Sequence, residues 1–317
     1  MDKMNTAKDY QPYQEGRILF QTQVNAFAPD LDHSSNSLQD GETYNAVTGL
    51  LMLPKTYSPS GKKTTLVMLA HGADGYITET VWRDNNEQWL KMVDMLLEAG
   101  YAVFDTNTVK DNGNAPYKAP GMPQTVQSYY KAYRHCIDHY NLSDQIITVG
   151  CSMGGLAALN FAFAHPNAVS GVAFFAGMID LRNQGWIRQL KSTRAHVAAC
   201  LNFEKKETYE KEDYEEDKAC PYDPMKKIVT IDGREYVFAP CPPLKFWHGL
   251  ADTILHEIDS NRRFIHAVRN AGGIAEMREV EKAPHALARG VFTDTDGNEQ
   301  TFVVEELICW MNRIAKG

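Results

Sequence analysis

Residues Gln145 to Ala157 read QIITVGCSMGGLA, and the architecture of the whole chain follows from how that stretch is taken. Ile146, Ile147 and Val149 make a short apolar strand, Gly150-Cys151-Ser152-Met153-Gly154 follows, and then comes the helix-prone LAALNFAFAH. This is the G-x-S-x-G pattern between a strand and a helix, where a serine on a sharp turn has its hydroxyl pushed clear of the sheet. Glycine is needed on both sides of the serine, because a side chain there would strike the neighbouring strand or helix and the backbone needs freedom in φ. Gly155 removes one more β-carbon, so the helix can lie close to the strand. The five-letter pattern is common by chance; the strand before it and the helix after it make it specific.

On the amino-terminal side, Thr64 to Ala70 (TTLVMLA) is a short continuous apolar run, as expected of a central strand buried on both faces. It ends in His71-Gly72-Ala73-Asp74-Gly75. A helix is expected over Trp82 to Ala99, with Trp89, Leu90, Val93, Leu96 and Leu97 at helical spacing and Gly100 as its stop. Tyr101 to Thr106 reads as a strand and Gln124 to Tyr140 as a helix. Arg17 to Val24 and Val47 to Leu53 are strand-like, with a segment rich in Asp, Ser, Asn and Gly between them.

On the carboxyl-terminal side, a helix over 153–165 leads to a strand from Gly171 to Ala176. The alternation breaks at about Asp180 and resumes at Leu244 to Gly249 (LKFWHG). A helix with Ile258, Ile265 and Val268 inward ends at Gly272-Gly273, and a strand from Ile274 to Val280 leads to Pro284-His285. The last helix, Val303 to Ala315, places Val304, Leu307, Ile308, Met311 and Ile314 on one face. Strands alternating with helices predict βαβ units and a largely parallel sheet with helices on both faces. Residues 1–16 read as a polar leader, 17–182 and 241–317 as the α/β core, and 183–240 as an insertion. That insertion holds a helical stretch around Trp186 to Phe203, a charged run, and IVTIDGREYVF, whose Asp232-Gly233 is a two-residue hairpin signal.

Composition narrows the function classes. The chain has 317 residues, 44% hydrophobic and 23% charged, enough for one large α/β domain with an insertion. Its net charge of −8 argues against a general nucleic-acid binder. From Glu204 to Lys218 there are eight Asp or Glu and four Lys, a net of −4, read as a solvated helix face, with an acidic docking site as the alternative. The six cysteines lack C-x-x-C spacing, so neither a zinc site nor a disulfide framework is expected; Cys220 and Cys241 bracket one segment where a pair would fit, against a reduced default. No membrane-spanning run is present. Residues 1–16 have no apolar core, which predicts no signal peptide and a cytoplasmic protein; removal of a leader, secretion or association with a phage particle stay open.

Ligands of such a sheet bind beyond the carboxyl ends of its strands, and four features sit at predicted strand ends: His71-Gly72-Ala73, Ser152, Asp252 and His285. The arrangement resembles the α/β-hydrolase superfamily of serine esterases, with prolyl-oligopeptidase and acetyl-esterase relatives, in which the triad runs Ser, then Asp or Glu, then His. The resemblance covers about residues 45 to 315. It implies an α/β-hydrolase fold in which 183–240 forms a cap over the site.

A serine hydroxyl is a weak nucleophile until a base takes its proton, so Ser152 needs a histidine. His285, directly after the strand 274–280, is the expected base, with His248 and His256 as competitors. The acid that holds the other imidazole nitrogen is expected at Asp252, in the family's HG-x-x-D turn (HGLAD), with Asp180 as its rival. Oxyanion donors are expected at the backbone N–H of Met153, at the positive end of its helix, and, by the resemblance, of Ala73. This chain has HGADG where many lipases have HGGG, so Asp74 is the alternative to Ala73. His71 reads as a brace for that loop or as a substrate contact. Tyr76, Trp82, Trp186 and Phe203 are candidates for a substrate pocket, or for the core, with Tyr117 and Tyr222 weaker.

The expectation is a serine esterase that forms an acyl-enzyme on a small or carbohydrate-linked ester. A peptidase of prolyl-oligopeptidase type and a non-catalytic hydrolase-fold binding protein are the alternatives, and an acceptor other than water stays open. No cofactor or metal is implied, because nucleophile, base and oxyanion donors are all protein groups. A small ester is the expected partner, without nucleic acid or membrane. The oligomeric state is not legible.

Overall fold

Apolar runs too short to be helices, separated by amphipathic stretches of helical period, assemble into one twisted sheet between two layers of helices. A computed structural model describes residues 16–25, 44–73, 75, 77, 87–107, 110–111, 115–116, 121–188, 191–204, 206–255 and 258–315. The sheet strands are β1 (Arg17–Asn25), β2 (Tyr44–Met52), β3 (Leu66–Ala70), β4 (Ala102–Thr106), β5 (Ile146–Cys151), β6 (Val169–Phe175), β7 (Leu244–Gly249) and β8 (Ala275–Val280). Their spatial order is β1-β2-β4-β3-β5-β6-β7-β8. Only β2 runs against its neighbours; the other pairings are parallel.

The longer helices are α1 (Glu87–Glu98), α2 (Pro123–His139), α3 (Gly154–Ala164), α4 (Lys191–Cys200), α5 (Ile258–Asn270) and α6 (Phe302–Ile314). Every residue of β3, β4 and β5 is buried, Asp105 and Thr106 of β4 and Thr148 of β5 included, as expected of central strands covered on both faces. Successive side chains leave a strand on opposite faces. Leu66, Met68 and Ala70 therefore join one core with Val126 and Tyr129 of α2, Leu159 of α3 and Phe264 of α5. Val67 and Leu69 join a second core with Val93 and Leu96 of α1 and Val304 and Leu307 of α6.

Between β6 and β7 the chain makes two separate attachments. Residues 181–222 contribute Leu181, Trp186, Val197, Phe203, Tyr209 and Tyr222 to a third cluster with Met153 and Leu255. The hairpin of Ile228–Ile231 with Arg234–Val237 lies instead along α5. There Arg263 Nη2 pairs with Glu235 at 2.6 Å, and Asn270 Nδ2 donates to the Glu235 carbonyl at 2.8 Å. The hairpin turns at Asp232 (φ 48°) and Gly233 (φ 75°), two left-handed residues in a row, as the Asp-Gly pair predicts.

The helical stretch expected around Trp186 to Phe203 is present in two pieces, a wide turn of π-helical hydrogen bonding, Leu181–Ile187, and then α4. Both Gln184 N–H (3.0 Å) and Gly185 N–H (2.9 Å) bond back to the Asp180 carbonyl, so this turn closes on itself before α4 begins. The charged run forms short turns held by pairs such as Lys218–Glu215 at 2.6 Å, rather than one helix face. All six cysteines are free thiols, Cys220 and Cys241 included. Among the described residues, no helix is long and apolar enough to cross a membrane.

Candidate active site

The loops at the carboxyl ends of β3, β5, β7 and β8 open on one edge of the sheet. Ser152 sits between β5 and α3 with φ 51°, a left-handed conformation that non-glycine residues rarely hold. Its N–H donates to the Phe175 carbonyl at 3.1 Å, and its carbonyl accepts from Gly155 (2.9 Å) and Met178 (2.8 Å), so the turn is pinned from three sides. The flanking glycines are required by space: a β-carbon on Gly154 would lie 2.0 Å from the Ala70 carbonyl oxygen, and one on Gly150 would lie 2.6 Å from Gly155 Cα.

Ser152 Oγ and His285 Nε2 are 2.8 Å apart. On the other side of the ring, His285 Nδ1 donates to Asp252 Oδ2 at 2.7 Å. Strands β7 and β8 are parallel neighbours with Gly249 opposite Val280, so the turn after β7 lies beside the loop after β8. Leu250 N–H donates to the Val280 carbonyl (2.9 Å) and Ala251 N–H to the Ala283 carbonyl (3.1 Å), tying turn and loop together. Ser152 is three strands away, about 14 Å at strand spacing. The loop covers that gap by turning back over the sheet, with Leu287 and Val291 packed in the core that also holds Cys151 and Phe175.

The Asp252 side chain is fully buried. Burial pushes its carboxyl up, but the His285 contact and the N–H groups of Leu255 and Ile254, each 2.8 Å from Oδ1, outweigh it and hold the group below the ordinary carboxylate value of 3.8. His248 fastens the same turn from behind. Its Nε2 donates to the Leu255 carbonyl at 2.8 Å, while Nδ1 faces the Asn261 amide at 3.3 Å. Burial holds its pKa below the ordinary value of 6.5, so it is a neutral brace. The rival acid, Asp180, is committed elsewhere: its carboxylate accepts from Asn183 N, Asn183 Nδ2 and Ser260 Oγ, each at 2.8 Å.

Met153 stands at the amino end of α3, in the turn whose N–H groups have no partner within the helix. A β-carbon on Gly72 would lie 3.3 Å from Ser152 Cβ and 3.9 Å from Oγ, so the loop carrying Ala73 touches the serine. Met153 and Ala73 also share one apolar cluster. His71 does not point at substrate as a free group: its Nδ1 donates to buried Asp105 at 2.8 Å.

Trp186 is a correction. It is completely buried, edge-on to Phe203, Tyr209 and Tyr214, with Nε1 donating to the Glu210 carbonyl at 2.9 Å, so it is core and not pocket wall. Phe203 and Tyr222 are buried in the same cluster. Asp74, Tyr76, Trp82, Tyr117 and His256 lie outside the described residues.

Sequence reading missed Asp105, Asn107 and Tyr129, which interlock behind the loop after β3. The available signal was a charged residue in the apolar strand AVFDT. Burial, with the Asp105 charge next, holds the Tyr129 phenol well above its ordinary value of 10, so it is a neutral donor.

As a whole, the arrangement can activate a hydroxyl for attack on an electrophilic carbon and offer N–H groups to the oxyanion that forms. Residues 41–229 match the protein family described as "Putative esterase". No curated protein matches the chain. Among solved structures, esterase 2 of Thermogutta terrifontis, phosphoramylated by tabun, superposes with a TM-score of 0.56 at 14% identity, over 93% of this chain and 94% of that one. Est1E from Butyrivibrio proteoclasticus gives 0.55 at 11% identity, over 94% and 99%. A structure from a study of two prolyl endopeptidases gives 0.58 at 16% identity, over 95% of this chain but 38% of that one. With the family match spanning 189 of its residues, the chain belongs to this esterase family and carries its hydrolase function on an α/β-hydrolase fold.

Proposed function

We propose that this protein hydrolyses carboxylic esters through an acyl-enzyme formed on Ser152. The observation that carries the reading is the unbroken line from Ser152 Oγ to His285 Nε2 (2.8 Å) and from His285 Nδ1 to Asp252 Oδ2 (2.7 Å). His285 takes the hydroxyl proton as Oγ attacks the ester carbonyl, and Asp252, kept ionised, stabilises the imidazolium. The oxyanion is received by the N–H groups of Met153 and Ala73. His285 then protonates the leaving alcohol, and water repeats the sequence to release the acid and restore the serine.

By the sequence resemblance we read the ester as one with a small acyl group or one carried on carbohydrate; Met122, Met178 and Leu255 pack beside Met153 in a buried cluster with apolar side chains of residues 181–222. We read that segment as a cover over the site.

Ser152→Ala is expected to abolish both turnover of p-nitrophenyl acetate and labelling by a fluorophosphonate probe. Labelling that survives the substitution refutes the nucleophile. Preference for aminoacyl amides over matched esters refutes the ester reading and leaves a serine peptidase.

A further inference from the structure

The loop that touches Ser152 rests on the carboxyl end of β4 through two buried polar side chains outside the triad. Asp105 is fully buried. Its Oδ2 accepts from His71 Nδ1 at 2.8 Å; its Oδ1 accepts from Tyr129 OH and from Thr106 N–H, each at 2.8 Å. Two residues on, Asn107 Oδ1 accepts from Ile77 N–H at 2.7 Å and its Nδ2 donates to the Ile77 carbonyl at 2.8 Å. A buried carboxylate is costly unless its oxygens are met by donors. Here those donors come from the start of the loop, from α2 and from the Thr106 N–H of β4 itself.

His71 and Ile77 are thus both pinned to one strand end. Between them, Gly75 N–H donates to the Gly72 carbonyl at 3.1 Å, and a β-carbon on Gly75 would lie 2.7 Å from His71 Cβ. Gly75 therefore closes over the His71 side chain, and the side of that turn at Gly72 abuts Ser152. Where Asp105 holds the imidazole decides where the turn sits, and the turn decides where the Ala73 N–H sits.

We propose that Asp105 and Asn107 are positioning residues for acyl transfer at Ser152, holding the loop after β3 so that the Ala73 N–H meets the oxyanion. The inference rests on the ester-hydrolase reading above. Neither residue touches the substrate. A donor displaced by a fraction of an ångström loses most of its value in the transition state and little in the ground state.

The test compares Asp105→Asn, Asn107→Ala and Tyr129→Phe with the unsubstituted protein on p-nitrophenyl acetate. Rates are normalised to sites titrated by a fluorophosphonate. For Asp105→Asn and Asn107→Ala, kcat per titrated site is expected to fall about 10- to 100-fold with KM nearly unchanged. Affinity for a trifluoromethyl ketone, which forms an oxyanion on the serine, should weaken by the same factor as kcat/KM. Tyr129→Phe leaves the core ring in place and should show a smaller loss of the same kind. If Asp105→Asn does not fold, the other two variants carry the comparison.

A loss confined to the number of titratable sites, with kcat per site unchanged, overturns the proposal, because it would mean a purely structural role. A change in KM alone also overturns it. Failure of the underlying reading is seen separately, as absent labelling of the unsubstituted protein or turnover that survives Ser152→Ala.

Discussion

Ser152 is held where its backbone is strained, at φ 51°, and left-handed backbone costs an L-residue about 1–2 kcal/mol. The elbow's hydrogen bonds must offset that cost. Ser152→Gly is therefore expected to be inactive yet about 1 kcal/mol more stable than Ser152→Ala, read from denaturant unfolding of the two variants. Equal stabilities would mean that the turn is not strained. At Asp252, removal of the charge should leave the fold intact, because the amide of Asn can still accept from Leu255 and Ile254 through Oδ1. Asp252→Asn is expected to lower kcat by about 10³- to 10⁴-fold, since the amide presents a donor to His285 and turns the imidazole to the wrong tautomer. A loss below tenfold would move the acid to another residue.

At the scale of elements, the turn Leu181–Ile187 is anchored by two buried carboxylates. Asp180 accepts from Asn183 N, and Asp223 accepts from the N–H groups of Leu181 (3.3 Å), Arg182 (3.2 Å) and Met225 (3.0 Å). Burial, with the Asp180 charge next, pushes the Asp223 carboxyl up to about 7 from an ordinary 3.8. Between those values the folded chain keeps a proton that the unfolded chain has released. The stabilisation is full below the ordinary value, declines as pH rises through 7, and amounts to on the order of 4 kcal/mol. Asp223→Asn mimics the protonated form and should flatten that decline, measured as unfolding free energy at pH 5, 7 and 9. Parallel curves for variant and parent would remove Asp223 from the account. The wide turn also decides which aromatic residues of this segment meet. Trp186 and Phe203 were legible as apolar but not as partners, since their contact at 5.7 Å depends on a turn that ends before α4 starts.

At the scale of the molecule, two cores lie on opposite faces of the sheet, and neighbouring residues of β5 belong to different ones: Ile146 to one, Ile147 to the other. Ile146→Val and Ile147→Val should each cost about 0.5–1.5 kcal/mol. The double variant should lie within about 0.5 kcal/mol of their sum, because no packing partner is shared. A larger deviation in a double-mutant cycle would mean that β5 shifts as a unit and couples the two faces.

What the sequence determined by itself is local in origin. Short apolar runs marked the buried strands β3 to β5, Asp232-Gly233 marked the hairpin turn, and the G-x-S-x-G pattern marked the elbow, because each of these signals is carried by a few adjacent residues. Strand ends marked Ser152, Asp252 and His285 as candidates. Tertiary structure alone decided which of them meet. That Asp252 rather than Asp180 faces His285 depends on β7 and β8 being parallel neighbours, and that Asp105 grips His71 depends on β4 lying beside β3. Such pairings join residues 33 or 34 positions apart and His285 to a serine 133 away. They are set by how strands order themselves in a sheet, a property of the whole packed chain that no local pattern encodes.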